Sequence, residues 1–256
     1  MSGTAGTDFL DLPFTRLGLA DAVAAVARAA EDETWRYVVT PNAAHLARLG
    51  HGDPALLAIY WGAAFCFLDS RVIALSAKVA GLNPPPVVPG SDLVDQLFCR
   101  VITANTPICI IGGDDNTVAR LRSRFGLAAP AHLNPSRGFW RDEAEIAAIV
   151  AFIVASRADY TFLVVGSPQQ EMLAARVAAA GGARGIGLCA GASLDFLAGT
   201  QRRAPLILQK LTLEWAYRLV QEPRRMAHRY FVESPKGVLL VVRAGRRAVA
   251  APSTKV

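Results

Sequence analysis

The chain has 256 residues, 52% hydrophobic and 19% charged, so it can bury a sizeable core and is too poor in charge to be disordered. Its mean hydropathy is high, at +0.30, yet it has no run of about 18 apolar residues, which excludes a membrane-spanning helix. Of its 27 Lys/Arg and 21 Asp/Glu, residues 201–256 hold 12 and 3, a net of +9; residues 1–200 hold 15 and 18, a net of −3, which excludes a uniformly basic nucleic-acid coat.

In chain order, helical and extended patterns alternate. Asp21 to Ala30 reads as a helix and Arg36 to Thr40 as a strand stopped by Pro41. Pro54 to Tyr60 is helical, and Ala64 to Leu68 is a compact apolar strand ended by Asp69. Ser91 to Ala104 reads as a helix with Ser91 as its N-cap. Pro107 to Ile111 is a buried strand that stops at Gly112-Gly113, and Thr117 to Phe125 is helical. Asp142 to Ser156 is a longer helix with acidic residues in its first turn, where the helix dipole favours them. Tyr160 to Val165 is the clearest strand and ends at Gly166-Ser167-Pro168. Gln169 to Ala180 is the next helix, and Gly185 to Ala190 a further strand. Strands written as continuous apolar runs, separated by helices, predict a Rossmann-like α/β fold: a largely parallel sheet with helices on both faces. Ligands then bind at the carboxyl ends of the strands.

Past residue 196 the strand pattern stops. Pro205 to Gln221, Pro223 to Phe231 and Pro235 to Arg247 read as three helices, each opening near a proline, which a first turn tolerates. The expected division is a sheet domain over 1–198 and a helical basic appendage over 199–256. In the appendage Arg202, Arg203, Arg218, Arg224, Arg225, Arg229, Arg243, Arg246 and Arg247 alternate with Leu206, Leu211, Leu213, Trp215, Tyr217, Tyr230 and Phe231. Three readings of this pattern stay open: an anionic bilayer surface, an apolar face packed on the sheet domain with solvated arginines, and nucleic-acid phosphates. The four cysteines, Cys66, Cys99, Cys109 and Cys189, form no CxxC pair and lie in or beside apolar runs, as buried reduced thiols do. No basic segment followed by an apolar core marks a secretion signal, so the expected compartment is the cytoplasm.

Polar residues recur just past the strands. Thr40 and Asn42 follow the first, Asp69 the second, Gly112 and Gly113 the third, and Gly166, Gln169, Gln170 and Glu171 the fourth. Glycines admit phosphate oxygens to backbone N–H groups, and helix N-termini favour the negative charge, so such a rim suits a nucleotide diphosphate. Each could equally be an ordinary turn. A carboxylate at Asp69 could take a proton from an attacking hydroxyl, or cap the segment after it in competition with Ser70. Asp195 is a second carboxylate near a helix start, with a structural reading slightly favoured. Asp114-Asp115 reads as a solvated pair in a turn. The sequence has no Walker loop and no Gly-x-Ser-x-Gly elbow, and the scattered His45, His51, His132 and His228 have no metal-ligand spacing.

Thr40-Pro-Asn42, Pro89-Gly-Ser-Asp-Leu93, Ile111-Gly-Gly113, Gly166-Ser-Pro-Gln-Gln-Glu171 and the Gly191 to Gly199 stretch resemble the WecG/TagA/CpsF glycosyltransferases, glycosyltransferase family 26. Arg203-Ala-Pro205, Leu213 to Leu219, and Glu222-Pro-Arg-Arg225 through Arg229-Tyr230 resemble that family's C-terminal signature. The resemblance covers about residues 35–232. It implies an inverting transfer of a hexose or N-acetylhexosamine from a UDP-sugar to a polyprenyl-diphosphate-linked sugar acceptor, in the synthesis of exopolysaccharide, capsule or teichoic acid. It implies no metal and no cofactor. Asp69 matches the family's catalytic base, Thr40 and Asn42 its substrate-pocket pair, and Gln170 its QE glutamine. Residues 1–198 would be the nucleotide-sugar-binding catalytic domain. Residues 199–256 would be a membrane-associating appendage whose arginines complete the site, on the inner face of the cell membrane. No nucleic-acid partner is implied, and a homo-oligomer is compatible. Two positions depart from the family: Ser70 follows Asp69 where a glycine is usual, and Val87 stands where the family has an arginine. The rival reading is a non-catalytic nucleotide-sugar or polyanion-binding partner of polysaccharide assembly.

Overall fold

The computed structural model describes residues 9–205, 207–208 and 213–250, with the backbone alone for 225, 226, 229 and 248–250. Six strands form one sheet: β1 (Arg36–Val39), β2 (Phe65–Cys66), β3 (Ile108–Ile111), β4 (Ala131–Leu133), β5 (Tyr160–Leu163) and β6 (Ile186–Cys189). Their order is β2-β1-β6-β5-β3-β4, and every pairing is parallel. The apolar runs explain this. All residues of β3, β5 and β6 are buried, which requires cover on both faces and excludes a one-sided antiparallel sheet. Two apolar clusters supply the cover. One joins Val39, Cys66, Ile111 and Leu163 to Leu46, Ile73, Ile149 and Leu173. The other joins Val38, Ile110, Phe162 and Leu188 to Val26, Leu97 and Leu121.

The helices before the tail are α1 (Leu19–Ala30), α2 (Ala43–Leu49), α3 (Pro54–Trp61), α4 (Arg71–Val79), α5 (Gly90–Arg100), α6 (Asp115–Phe125), α7 (Glu143–Ser156), α8 (Gln169–Ala180) and α9 (Ser193–Ala198). The fold is thus the Rossmann-like α/β sheet that the βα alternation predicts, with differences in detail. Helix α5 begins one residue before Ser91, and Pro89 occupies the N-cap position. It ends at Arg100 because Val101 leaves helical geometry. Asp114 is not merely solvated: its carboxylate caps α6 by accepting the Thr117 N–H at 2.7 Å, which lowers its pKa. Cys66, Cys109 and Cys189 are buried thiols, but Cys99 is exposed on α5, because the apolar stripe of that helix runs through Leu93, Val94, Leu97 and Phe98. Burial pushes the Cys109 thiol up to about 12.

The tail contains α10 (Glu214–Gln221), α11 (Pro223–His228), a π turn over Arg229–Glu233, and α12 (Ser234–Ala250). The helix expected from Pro205 to Gln221 does not run unbroken: Pro205 is in no regular element and Leu213 is non-helical just before α10, while residues 207 and 208 are helical and residues 206 and 209–212 lie outside the described residues. Helix α12 folds back across α2 and α4. Two glycines let it come close. A Cβ at Gly237 would overlap the Ala43 carbonyl, and one at Gly245 would overlap the Ala80 carbonyl. No helix among the described residues is long and apolar enough to cross a membrane.

Candidate active site

The sheet order sets the carboxyl ends of β2, β1, β6 and β5 side by side. The residues that follow them enclose a cavity of about 450 Å³. Thr40 and Asn42 come from beyond β1, Asp69 from beyond β2, Gly166 and Ser167 from beyond β5, and Gly191, Ser193 and Asp195 from beyond β6. The volume and position are those of a small-ligand site in an open parallel sheet.

Local chemistry fixes each wall. Asn42 caps α2: its Oδ1 accepts the Ala44 N–H at 3.1 Å, and its own N–H donates to Nδ1 of His45 at 3.3 Å. This reciprocal cap holds the Thr40–Asn42 turn still. Thr40 packs against Gly90, where a Cβ would fall 2.7 Å from the threonine Oγ1, so the glycine of the Gly90-Ser-Asp-Leu93 stretch is required by that close approach. The Asp69 N–H donates to the Pro41 carbonyl at 3.0 Å, which zips the two turns together. Ser70, and not Asp69, caps α4, its Oγ accepting the Ile73 N–H at 3.2 Å. Asp69 itself lines the cavity.

Gln170 is buried, and its amide is used at both ends. Nε2 donates to Oε1 of Glu171 at 2.9 Å, and Oε1 accepts the Gly191 N–H at 3.1 Å. It therefore ties the start of α8 to the turn after β6. Arg48, on α2, donates to the Ser167 hydroxyl at 3.0 Å and faces the same cavity. Beneath them, burial pushes Glu171 above the ordinary carboxylate range, against the lowering influence of the Gln170 hydrogen bond and of Arg48. A carboxyl raised in this way gives its full stability below its unfolded value and loses it as pH rises through the folded value. Glu171→Gln is therefore expected to melt higher than wild type near neutral pH. The gap should close on acidification below the model-peptide value of 4.5, as followed by thermal melts across pH. A gap that widened in acid would contradict this.

Asp195 lines the cavity and also accepts from Thr117 at 3.4 Å and Thr200 at 3.5 Å, so its structural and site positions coincide. Gly112 and Gly113 do not reach the cavity. Strand β3 lies beyond β5, the Gly112 N–H donates to the Leu133 carbonyl, and Val164 and Val165 cover the Gly112 turn. Of the tail arginines, Arg218 reaches the cavity. It pairs with Glu214 at 2.6 Å and stands over the Phe196 ring at 4.8 Å. Arg203 pairs with Asp92 on α5, and Arg71 approaches the other oxygen of the same carboxylate at 3.9 Å. Arg202 and Arg224 are exposed and line neither this cavity nor the next, and the Arg225 side chain lies outside the described residues.

A second cavity, of about 570 Å³, opens from the first. Its surface is mostly apolar, from Val72 on α4, Trp215 on α10, Tyr230 and Phe231 in the π turn, and Val238 on α12, with Ser70, Arg71, Glu214 and Ser234 among the lining residues. Trp215 and Tyr230 meet edge to face at 5.9 Å. Asn42, Asp69, Ser91 and Arg218 line both cavities. Sequence reasoning named Asp69 and Arg218 but not Arg48, His45 or Ser91 as wall residues. The one signal available for His45 was its spacing of three from the capping Asn42.

A polar cavity over the carboxyl ends of parallel strands, walled by an amide, hydroxyls and arginines, is the arrangement by which doubly wound α/β proteins hold nucleotide-type ligands. Residues 7–250 match the glycosyl transferase WecG/TagA/CpsF family, and the chain belongs to that family of glycosyltransferases.

Proposed function

We propose that the protein transfers a hexose or N-acetylhexosamine from a UDP-sugar to a lipid-diphosphate-linked sugar, inverting the anomeric carbon, in the synthesis of a bacterial cell-surface polysaccharide. The observation that carries this reading is the meeting of a polar and a mostly apolar cavity at Asp69, Asn42 and Arg218. A sugar nucleotide suits the first and an amphiphilic acceptor the second, with a carboxylate at the junction.

In this mechanism the acceptor hydroxyl oxygen bonds to the anomeric carbon as its proton passes to Asp69. The bond from that carbon to the diphosphate oxygen breaks on the opposite face, and its electron pair leaves with UDP. The transition state is oxocarbenium-like, as in glycoside hydrolysis. Arg48 and Arg218 meet the negative charge that grows on the diphosphate, in a site already organised around them. Asn42 and Thr40, held by the α2 cap and by Gly90, position the sugar. Gln170 acts through the Gly191 turn that it ties down. The enzyme would work at the inner membrane surface, where the basic tail meets anionic lipid.

The test is the anomeric configuration of the product. Wild-type protein is incubated with UDP-sugars and lipid-diphosphate-sugar acceptors, and the new linkage is read by proton NMR. Inversion is expected. Retention would overturn the single displacement, and absence of lipid product from every pairing would overturn the transfer.

A further inference from the structure

Resting on the transfer proposed above, we infer that the seam between α4 and α12 is a groove that carries the hydrocarbon chain of the lipid acceptor from the protein surface to Asp69. On α4, Val72 lines the apolar cavity beside Asp69, while Leu75, Ser76 and Val79 line a further cavity of about 580 Å³. Steps of three and four residues place these side chains on one face of the helix. Helix α12 repeats the spacing: Pro235 and Val238 line the first cavity, Val242 and Gly245 the second. The two helices pack on each other, and the two cavities follow one another along the same seam. From Val72 to Val79 it runs about 10 Å, at ~1.5 Å per residue.

Apolar side chains of the outer stretch are uncovered. Leu75 is 55% exposed and Val79 83%. Contiguous exposed apolar surface of this kind marks a place where something binds. Three observations identify the occupant as a hydrocarbon chain. One end of the groove opens beside the carboxylate at which an acceptor hydroxyl must arrive. The groove lies along two helices whose spacing is fixed by the close approach at Gly245, and its outer stretch is open to solvent along its length, as entry of a long chain from the side requires. At the outer end Lys78, Arg243 and Arg246 are exposed, and cations beside an apolar channel suit the anionic headgroups from which a membrane-held chain would enter. The inference extends the membrane-facing surface from the tail to α4 of the sheet domain.

Leu75→Glu and Val79→Glu test it, since both positions are exposed and the fold does not depend on them. With an acceptor bearing a long polyprenyl chain, each variant is expected to raise the acceptor KM about tenfold, through lost apolar contact and a charge placed in the groove. The KM for the UDP-sugar, and turnover of an acceptor with a short, soluble prenyl chain, should be unchanged. Equal losses with both acceptors, or no loss with the long one, would overturn the groove. A photoreactive long-chain polyprenyl diphosphate gives a readout that needs no turnover. Label on α4 and α12 peptides supports the groove, and label confined to other peptides overturns it. If such labelling occurs while no acceptor supports UDP release, the groove stands and the transfer reading fails. If Leu75→Glu instead splits a dimer in light scattering, without chain-length dependence, the face is a contact between copies of this chain and the inference is overturned.

Discussion

Asp69→Asn is expected to lower acceptor-dependent UDP release by about 10²- to 10⁴-fold, the range for loss of a positioned general base, while UDP binding persists. Asparagine keeps the shape and the hydrogen-bonding capacity of the side chain but cannot accept the acceptor proton as the oxygen attacks. Ser70 carries the α4 cap, and the variant retains the Asp69 N–H to Pro41. A collapsed turnover number with UDP binding retained is the expected pattern. Turnover at the wild-type rate would remove Asp69 from the role of base.

Arg218→Ala is expected to cost about 10²- to 10³-fold in kcat, comparable to removal of one fixed donor from a developing oxyanion. Arg218 stands where the two cavities meet. Its guanidinium is set in place by Glu214 at 2.6 Å and by the face of Phe196 at 4.8 Å, so little reorganisation is needed when charge develops on the leaving diphosphate. Arg218→Lys should recover part of the loss, because it returns the charge without the planar fork. A change in UDP-sugar KM with an intact kcat would assign Arg218 to ground-state binding instead.

The order of strands and helices was legible because β3, β5 and β6 are unbroken apolar runs and the helices between them carry clear caps or stripes. The elements that escaped are short. Helix α2 has seven residues, almost all buried, so it shows no polar face to set a period. Strand β4 has three half-buried residues at the sheet edge. Helix α4 begins two residues after Asp69; the sequence offered a cap there, at Asp69 or Ser70, beside the functional turn, but no helix range was read. The rim residues Thr40, Asn42, Asp69 and Gly166 were legible as strand-end residues. Their neighbours were not, because sequence order does not give sheet order: the third strand in the chain lies fifth in the sheet, which carries Gly112 and Gly113 past the cavity. Gln170 was legible as a site residue and lines the cavity; its amide also binds Glu171 and the Gly191 N–H. The tail's charge was plain, yet its arginines divide by position: Arg218 into the site, Arg203 onto Asp92, Arg202 and Arg224 into solvent. The packing of α12 on α2 and α4 depends on Gly237 and Gly245, whose close contacts lie nearly 200 residues away for Ala43 and more than 150 for Ala80, and no local pattern announces them.

The most direct measurement is the initial rate of UDP release from a panel of UDP-sugars, with and without a lipid-diphosphate-sugar acceptor in mixed micelles. At least one UDP-sugar should release UDP rapidly with the acceptor and slowly without it, with one sugar added to lipid for each UDP formed. UDP release that is indifferent to the acceptor, or none from any UDP-sugar, would contradict a site in which donor and acceptor cavities meet at Asp69.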